Sequence, residues 1–109
     1  MQWLQALRQR LPQHKYAIHA AALGDQAQLP WSNLGYWQAG QQDYVAACRT
    51  LADQLAQSVN LNSKDKLLDL GCGQGASLLH WQQHYRVQYL AGVELQAACV
   101  ATIQQHLPE

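Results

Sequence analysis

Lys66–Gly75 reads KLLDLGCGQG, and no other stretch narrows the possible folds of this chain so far. A short apolar run of Leu67, Leu68 and Leu70 carries one acid, Asp69, then breaks into glycines at 71, 73 and 75. The stretch that follows, Ala76–Tyr85, is able to form a helix. Apolar strand, glycine turn and helix make the first half of a βαβ unit, in which ligands sit at the carboxyl ends of the strands. Glycine suits such a turn because it reaches positive φ and holds no Cβ between backbone and ligand. A second, β-rich run, Val87–Val93, ends at Glu94, twenty-five residues after Asp69. An acid at the tip of the second strand is placed to accept hydrogen bonds from both hydroxyls of a ribose. The stretch is a nucleoside site in outline.

The spacing bears on which nucleoside. Dinucleotide folds typically use G-x-G-x-x-G, with a helix N-terminus facing a pyrophosphate. Here the glycines run G-x-G-x-G, and Asp69 stands two residues before the first. A carboxylate there repels phosphate and suits a ligand carrying ammonium or sulfonium charge. Asp69, Gly71-Cys72-Gly73-Gln74-Gly75 and Gly92-Val93-Glu94-Leu95, in this order, resemble the class I S-adenosylmethionine-dependent methyltransferases over roughly Lys64–Leu107.

The resemblance implies an α/β fold, a partial Rossmann-like sheet with covering helices behind an N-terminal helical segment. It implies S-adenosylmethionine as cofactor and methyl transfer to an oxygen, nitrogen or carbon of a small-molecule acceptor. On it, Glu94 takes the ribose, and Gly71, Gly73 and Gly75 allow close backbone approach. Asp69 takes the methionine amino group, directly or through water, and Leu95 and Gln96 rest against part of the adenine. A small residue commonly fills the slot of Cys72, which therefore packs near the cofactor, although a low-pKa thiolate is conceivable beside a helix N-terminus. The acceptor site and any base lie downstream in such proteins, so no catalytic residue is assigned. Other readings stay open: a nicotinamide-dependent oxidoreductase fragment, a non-catalytic cofactor-binding or partner subunit, and a fragment that self-associates without ligand.

Ahead of the glycine turn, residues 1–40 read as an N-terminal helix and aromatic lid segment, and 41–109 as the first half of the cofactor domain. Trp3, Leu4, Leu7 and Leu11 recur at helical spacing over Gln2–Leu11, and Pro12 ends that run. His14–Gly40 is punctuated by Gly24, Pro30, Gly35 and Gly40, with room for a short alanine-rich helix over Tyr16–Leu23. Aromatics crowd Leu29–Trp37, as either a ligand wall or an anchor onto the core. Within it, Asn33-Leu34-Gly35-Tyr36-Trp37 resembles the segment before the first strand of small-molecule methyltransferases, where it folds over the cofactor's methionine end. The resemblance makes Tyr36 and Trp37 the lid, in keeping with the attraction of aromatic faces for cations; the alternative makes them core anchors.

Gln41–Asn60 is the clearest amphipathic helix, with Tyr44, Cys48, Leu51, Leu55 and Val59 inward and Arg49, Asp53 and Gln57 outward. Leu61–Asp65 is a polar turn, and Gln96–Leu107 carries Val100, Ile103 and Leu107 as a second covering helix. His80 and His84 share a helix face, but Trp81 and the lack of a third ligand nearby leave no metal assigned.

Composition bounds the partners and the size. Lys+Arg 7 balance Asp+Glu 7 with no basic cluster, which argues against a nucleic-acid or membrane surface. No apolar stretch approaches the roughly 20 residues of a spanning helix, and the first residues lack a signal peptide's apolar block. Three widely spaced cysteines fit a reduced, cytoplasmic protein better than a disulfide framework. The 109 residues allow one small domain with a modest core. The resembled fold has a seven-stranded sheet and roughly twice this length, whereas two parallel strands leave open edges and a half-covered apolar face. A proteolysed or truncated fragment is expected, or a homo-oligomer that completes its sheet through those open edges.

Overall fold

The computed structural model describes Gln2 and residues 18–107. Apart from Gln2, the helix expected over Gln2–Leu11 lies outside the described residues. Of the alanine-rich stretch, Ala20–Leu23 forms a single 3-10 turn, closed by Gly24 in the left-handed region (φ 94°). Helix α1 spans Tyr44–Ser58 and starts at Asp43, whose side chain accepts from Ala46 N–H at 3.2 Å. This cap satisfies one of the free amides of the first turn.

Strand β1 (Lys66–Leu70) leads into α2 (Ala76–His80), which widens into a π-helical turn over Trp81–Tyr85. Arg86, at φ 52°, stops it. Strand β2 (Tyr89–Val93) and helix α3 (Ala97–His106) follow. The strands pair in parallel, Leu67 opposite Leu90, Asp69 opposite Gly92 and Leu70 opposite Val93. Parallel pairing requires a crossover, and α2 supplies it. The polar turn fixes both strand entries: Asp65 C=O accepts from Gln88 N–H at 2.8 Å, and its carboxylate accepts from Asn62 N–H at 2.9 Å.

The inward face of α1 differs from the one its large apolar residues suggest. Tyr44, Ala47, Cys48, Ala52 and Ala56 are buried, while Leu55 and Val59 are 59% and 69% exposed. Cys48, Ala52 and Ala56 at four-residue spacing, with Ala47 beside them, let the helix backbone approach its neighbours closely, so the small side chains take the core. Asp53 likewise does not face outward. It accepts hydrogen bonds from His80 Nε2 at 2.7 Å and Tyr85 Oη at 2.8 Å, tying α1 to α2 and the π turn. His80 is only 5% exposed and stacks edge-on against Trp31. Its imidazole is thus engaged as a packing and hydrogen-bonding group.

Partial burial pushes the Asp53 carboxyl upward, but the hydrogen bonds from His80 and Tyr85 and the charges of His80 and His84 leave it below the ordinary carboxylate range. Burial, and then the same bond to Asp53, push the Tyr85 phenol up to about 12. A carboxyl with a folded pKa below its unfolded value stabilises the fold fully above the unfolded pKa of about 4 and loses that contribution as pH falls through the folded one. Thermal melts of wild type and Asp53→Asn should therefore converge on acidification from about pH 6 to about pH 3. A gap independent of pH would show that the charge contributes nothing.

Among the described residues the sheet is covered on one side. Leu67, Asp69 and Leu90 turn inward and are half-buried, and Leu78 of α2 presses on Gly92, where a Cβ would sit 2.8 Å from Leu78 Cδ1. On the opposite face Leu68, Leu70 and Val93 are 58%, 74% and 53% exposed. No helix among the described residues is long and apolar enough to cross a membrane.

Candidate functional site

The glycine loop leaves β1 at its carboxyl end, and Gly71, Gly73 and Gly75 all take positive φ, at 71°, 60° and 103°. Gly71 N–H and Cys72 N–H both donate to Val93 C=O, at 2.7 and 3.1 Å, pinning the loop to the tip of β2. At Gly73 a Cβ would strike Ser32 Oγ, so the loop and the Trp31–Asn33 segment touch backbone to side chain. At Gly75, the N-cap of α2, a Cβ would meet Ile103 Cγ1 at 2.7 Å. Both positions need glycine for conformation and for room.

Two carboxylates flank the loop. Glu94, one residue beyond β2, accepts from Gly73 N–H through Oε1 at 3.2 Å and from Gln96 N–H through Oε2 at 2.9 Å. Asp69 accepts from Ser77 Oγ at 2.8 Å and from Trp81 Nε1 at 3.0 Å. Between them Cys72 is buried, and burial, reinforced by the negative charges of Asp69 and Glu94, pushes its thiol up. These effects outweigh any pull from the helix N-terminus, so Cys72 stays a protonated packing group and the thiolate alternative falls away.

A cavity of about 180 Å³ lies between the loop, α1 and the Trp31–Asn33 segment. Asp69, Gly71 and Cys72 form one wall, Leu51 and Leu55 of α1 another, and Trp31 and Trp81 supply aromatic surface. Leu51 and Leu55, expected in the core, thus face this opening. Gly73 and Gly75 continue the loop beside the cavity. Glu94 joins it through Gly73, and Gln96 through its own bond to Glu94, while Leu95 is 91% exposed.

Tyr36 and Trp37 lie apart from the cavity lining. Both are about half exposed; Tyr36 N–H donates to Ala47 C=O and Trp37 Nε1 to Leu34 C=O, each at 2.8 Å. Their neighbours Trp31, Ser32 and Asn33 line the cavity instead. The sequence places all three in the Leu29–Trp37 segment, a ligand wall or a core anchor, but assigns the lid to Tyr36 and Trp37. The available signal was hydrogen-bonding capacity: Asp25, only 5% exposed, accepts from Trp31 N–H at 2.7 Å and Ala27 N–H at 3.1 Å. Asn33 accepts from Gly35 N–H at 2.7 Å and donates to Cys48 C=O at 3.2 Å. Asp and Asn side chains bonding backbone this way fix an irregular segment against a helix.

Parallel strand tips, a glycine loop, two carboxylates and an aromatic-walled cavity together define a small α/β unit with the makings of a small-molecule site. The chain is similar to the erythromycin 3''-O-methyltransferase of Saccharopolyspora erythraea, 36% identical over 63 residues, which cover 58% of this chain and 21% of that protein. The matched stretch thus spans about a fifth of the length of that relative. No family model and no solved structure matches. The chain is therefore related in part to a methyltransferase.

Proposed function

We propose that this chain is the S-adenosylmethionine-binding part of a Rossmann-like, class I methyltransferase that acts on a small-molecule acceptor. The observation that carries this reading is the Glu94–Gly73 hydrogen bond, which joins the acid at the second strand's tip to the glycine loop at the first. A nucleoside entering there meets a carboxylate for its ribose and backbone that no Cβ obstructs. The residues fit the group chemically: Gly71 lines the cavity with nothing within 4 Å of where a Cβ would stand, and Asp69 offers a carboxylate beside apolar and aromatic walls. The partial similarity to an O-methyltransferase favours oxygen as the acceptor atom.

When bound, S-adenosylmethionine supplies an electrophilic methyl group on a sulfonium centre. This chain's residues bind and orient: Glu94 holds the ribose hydroxyls, and Gly71, Gly73 and Gly75 let the backbone approach the ligand. Asp69 holds the amino group, and Leu95 and Gln96 flank the base. Trp31 and Trp81 exclude water and offer ring faces to the cation, a role the sequence reading gives to Tyr36 and Trp37. Holding donor and nucleophile in line is a proximity effect worth several kcal/mol.

Calorimetric titration with S-adenosylhomocysteine tests the reading. Saturable binding is expected, weakened about tenfold to a hundredfold by Glu94→Ala, the loss of hydrogen bonds to a charged group. Binding of NAD instead of S-adenosylhomocysteine would overturn the assignment in favour of an oxidoreductase, and equal affinity in the variant would remove Glu94 from the site.

A further inference from the structure

Asp69 receives two hydrogen bonds, from the Ser77 hydroxyl and the Trp81 indole, and both end on the same oxygen, Oδ2. Oδ1 accepts none among the described residues. No buried side-chain oxygen or nitrogen among them lacks a partner, so Oδ1 is open and not buried. Asp69, Ser77 and Trp81 all line the same cavity. Ser77 and Trp81 are four residues apart on α2 and its π turn, one above the other on the face that looks down on β1. Trp81 is itself only 7% exposed, which fixes its ring.

A carboxylate on a strand ordinarily rotates about its last bond and offers either oxygen. Two donors clamped on one oxygen remove that freedom and aim the other. Asp69 lines a space walled also by Trp31, Trp81 and Leu51. In such a setting a cation is attracted both by the carboxylate, less screened than in water, and by the ring faces.

We infer that Ser77 and Trp81 are positioning residues that hold Asp69 Oδ1 toward the ammonium group of the bound ligand, making the site selective for the amino-bearing form of an adenosyl thioether. The inference rests on the proposed cofactor reading. Neither residue touches reacting atoms; each acts through Asp69.

The test compares S-adenosylhomocysteine with its desamino analogue, in which hydrogen replaces the ammonium, on wild type, Ser77→Ala and Trp81→Phe. Phenylalanine keeps the apolar ring and removes only the N–H donor and part of the bulk. Wild type should prefer the amino-bearing ligand about tenfold or more; each variant should lose most of that preference, and Ser77→Ala should still bind the desamino ligand within about twofold of wild type. Equal weakening for both ligands would mark a merely structural role and overturn the inference, as would variants that keep the full preference. Wild type binding both ligands equally would overturn it while leaving the cofactor reading intact. Wild type binding neither would overturn both.

Discussion

Gly75→Ala is expected to cost about 3 kcal/mol of folding stability. The position combines two penalties that are usually met separately. Its φ of 103° lies in a region where an L side chain costs about 1–2 kcal/mol, because Cβ crowds the following carbonyl. Its Cβ would also stand 2.7 Å from Ile103 Cγ1 and 3.3 Å from Leu29 Cδ2, and forcing a methyl into packed side chains costs about 1–3 kcal/mol. Because Gly75 caps α2, relief by backbone movement would shift the helix that covers the sheet. Urea denaturation of wild type and variant measures the cost. Ile103→Ala alone opens a cavity, yet in the double variant it removes the clash, so the two losses should sum to more than the double variant shows. Additive losses would mean that Ile103 is not what Gly75 makes room for.

The second large effect falls on binding instead of folding. Asp69→Asn should reduce affinity for S-adenosylhomocysteine about a hundredfold while shifting the melting temperature little. The asparagine carbonyl oxygen can take the place of Oδ2 and accept from both Ser77 Oγ and Trp81 Nε1, so the internal bonds survive. That choice forces the amide NH₂ into the position of Oδ1. A donor then faces the ligand's ammonium, with the attractive charge gone. Calorimetry paired with a thermal melt separates the two readouts. A variant that binds as wild type does would remove Asp69 from ligand recognition, whatever its stability.

The glycine loop and both carboxylates were legible in the sequence because each belongs to a pattern with a local cause. Alternating glycines mark positive φ, and the period of apolar residues marks the two strands, which fell where expected, β2 beginning two residues into the β-rich run. The register that puts Asp69 opposite Gly92 follows from matching those two runs. What was not legible depended on partners distant in the chain. Asp53 looks like a solvent-facing acid on an amphipathic helix until His80 and Tyr85 are brought beside it by a π turn that no local pattern announces. The inward face of α1 keeps Tyr44 and Cys48 of the apolar set and not Leu55 or Val59 for a related reason: size is no guide to burial where the fit between α1 and its neighbours selects Ala47, Ala52 and Ala56. Which residues of Leu29–Trp37 would wall a cavity was not legible, because an irregular segment has no period. Its course is set by single hydrogen bonds such as that of Asp25 to Trp31 N–H.

Leu68, Leu70 and Val93, already wet in the folded state, have a thermodynamic consequence. Apolar area that water touches before unfolding contributes nothing to the increase in heat capacity when the chain opens, nor to the steepness of its response to denaturant. The stability curve of this chain against temperature should therefore be flatter, and its urea transition broader, than those of a closed domain of the same length. Any surface that settles on this face would sharpen both, in proportion to the apolar area it covers.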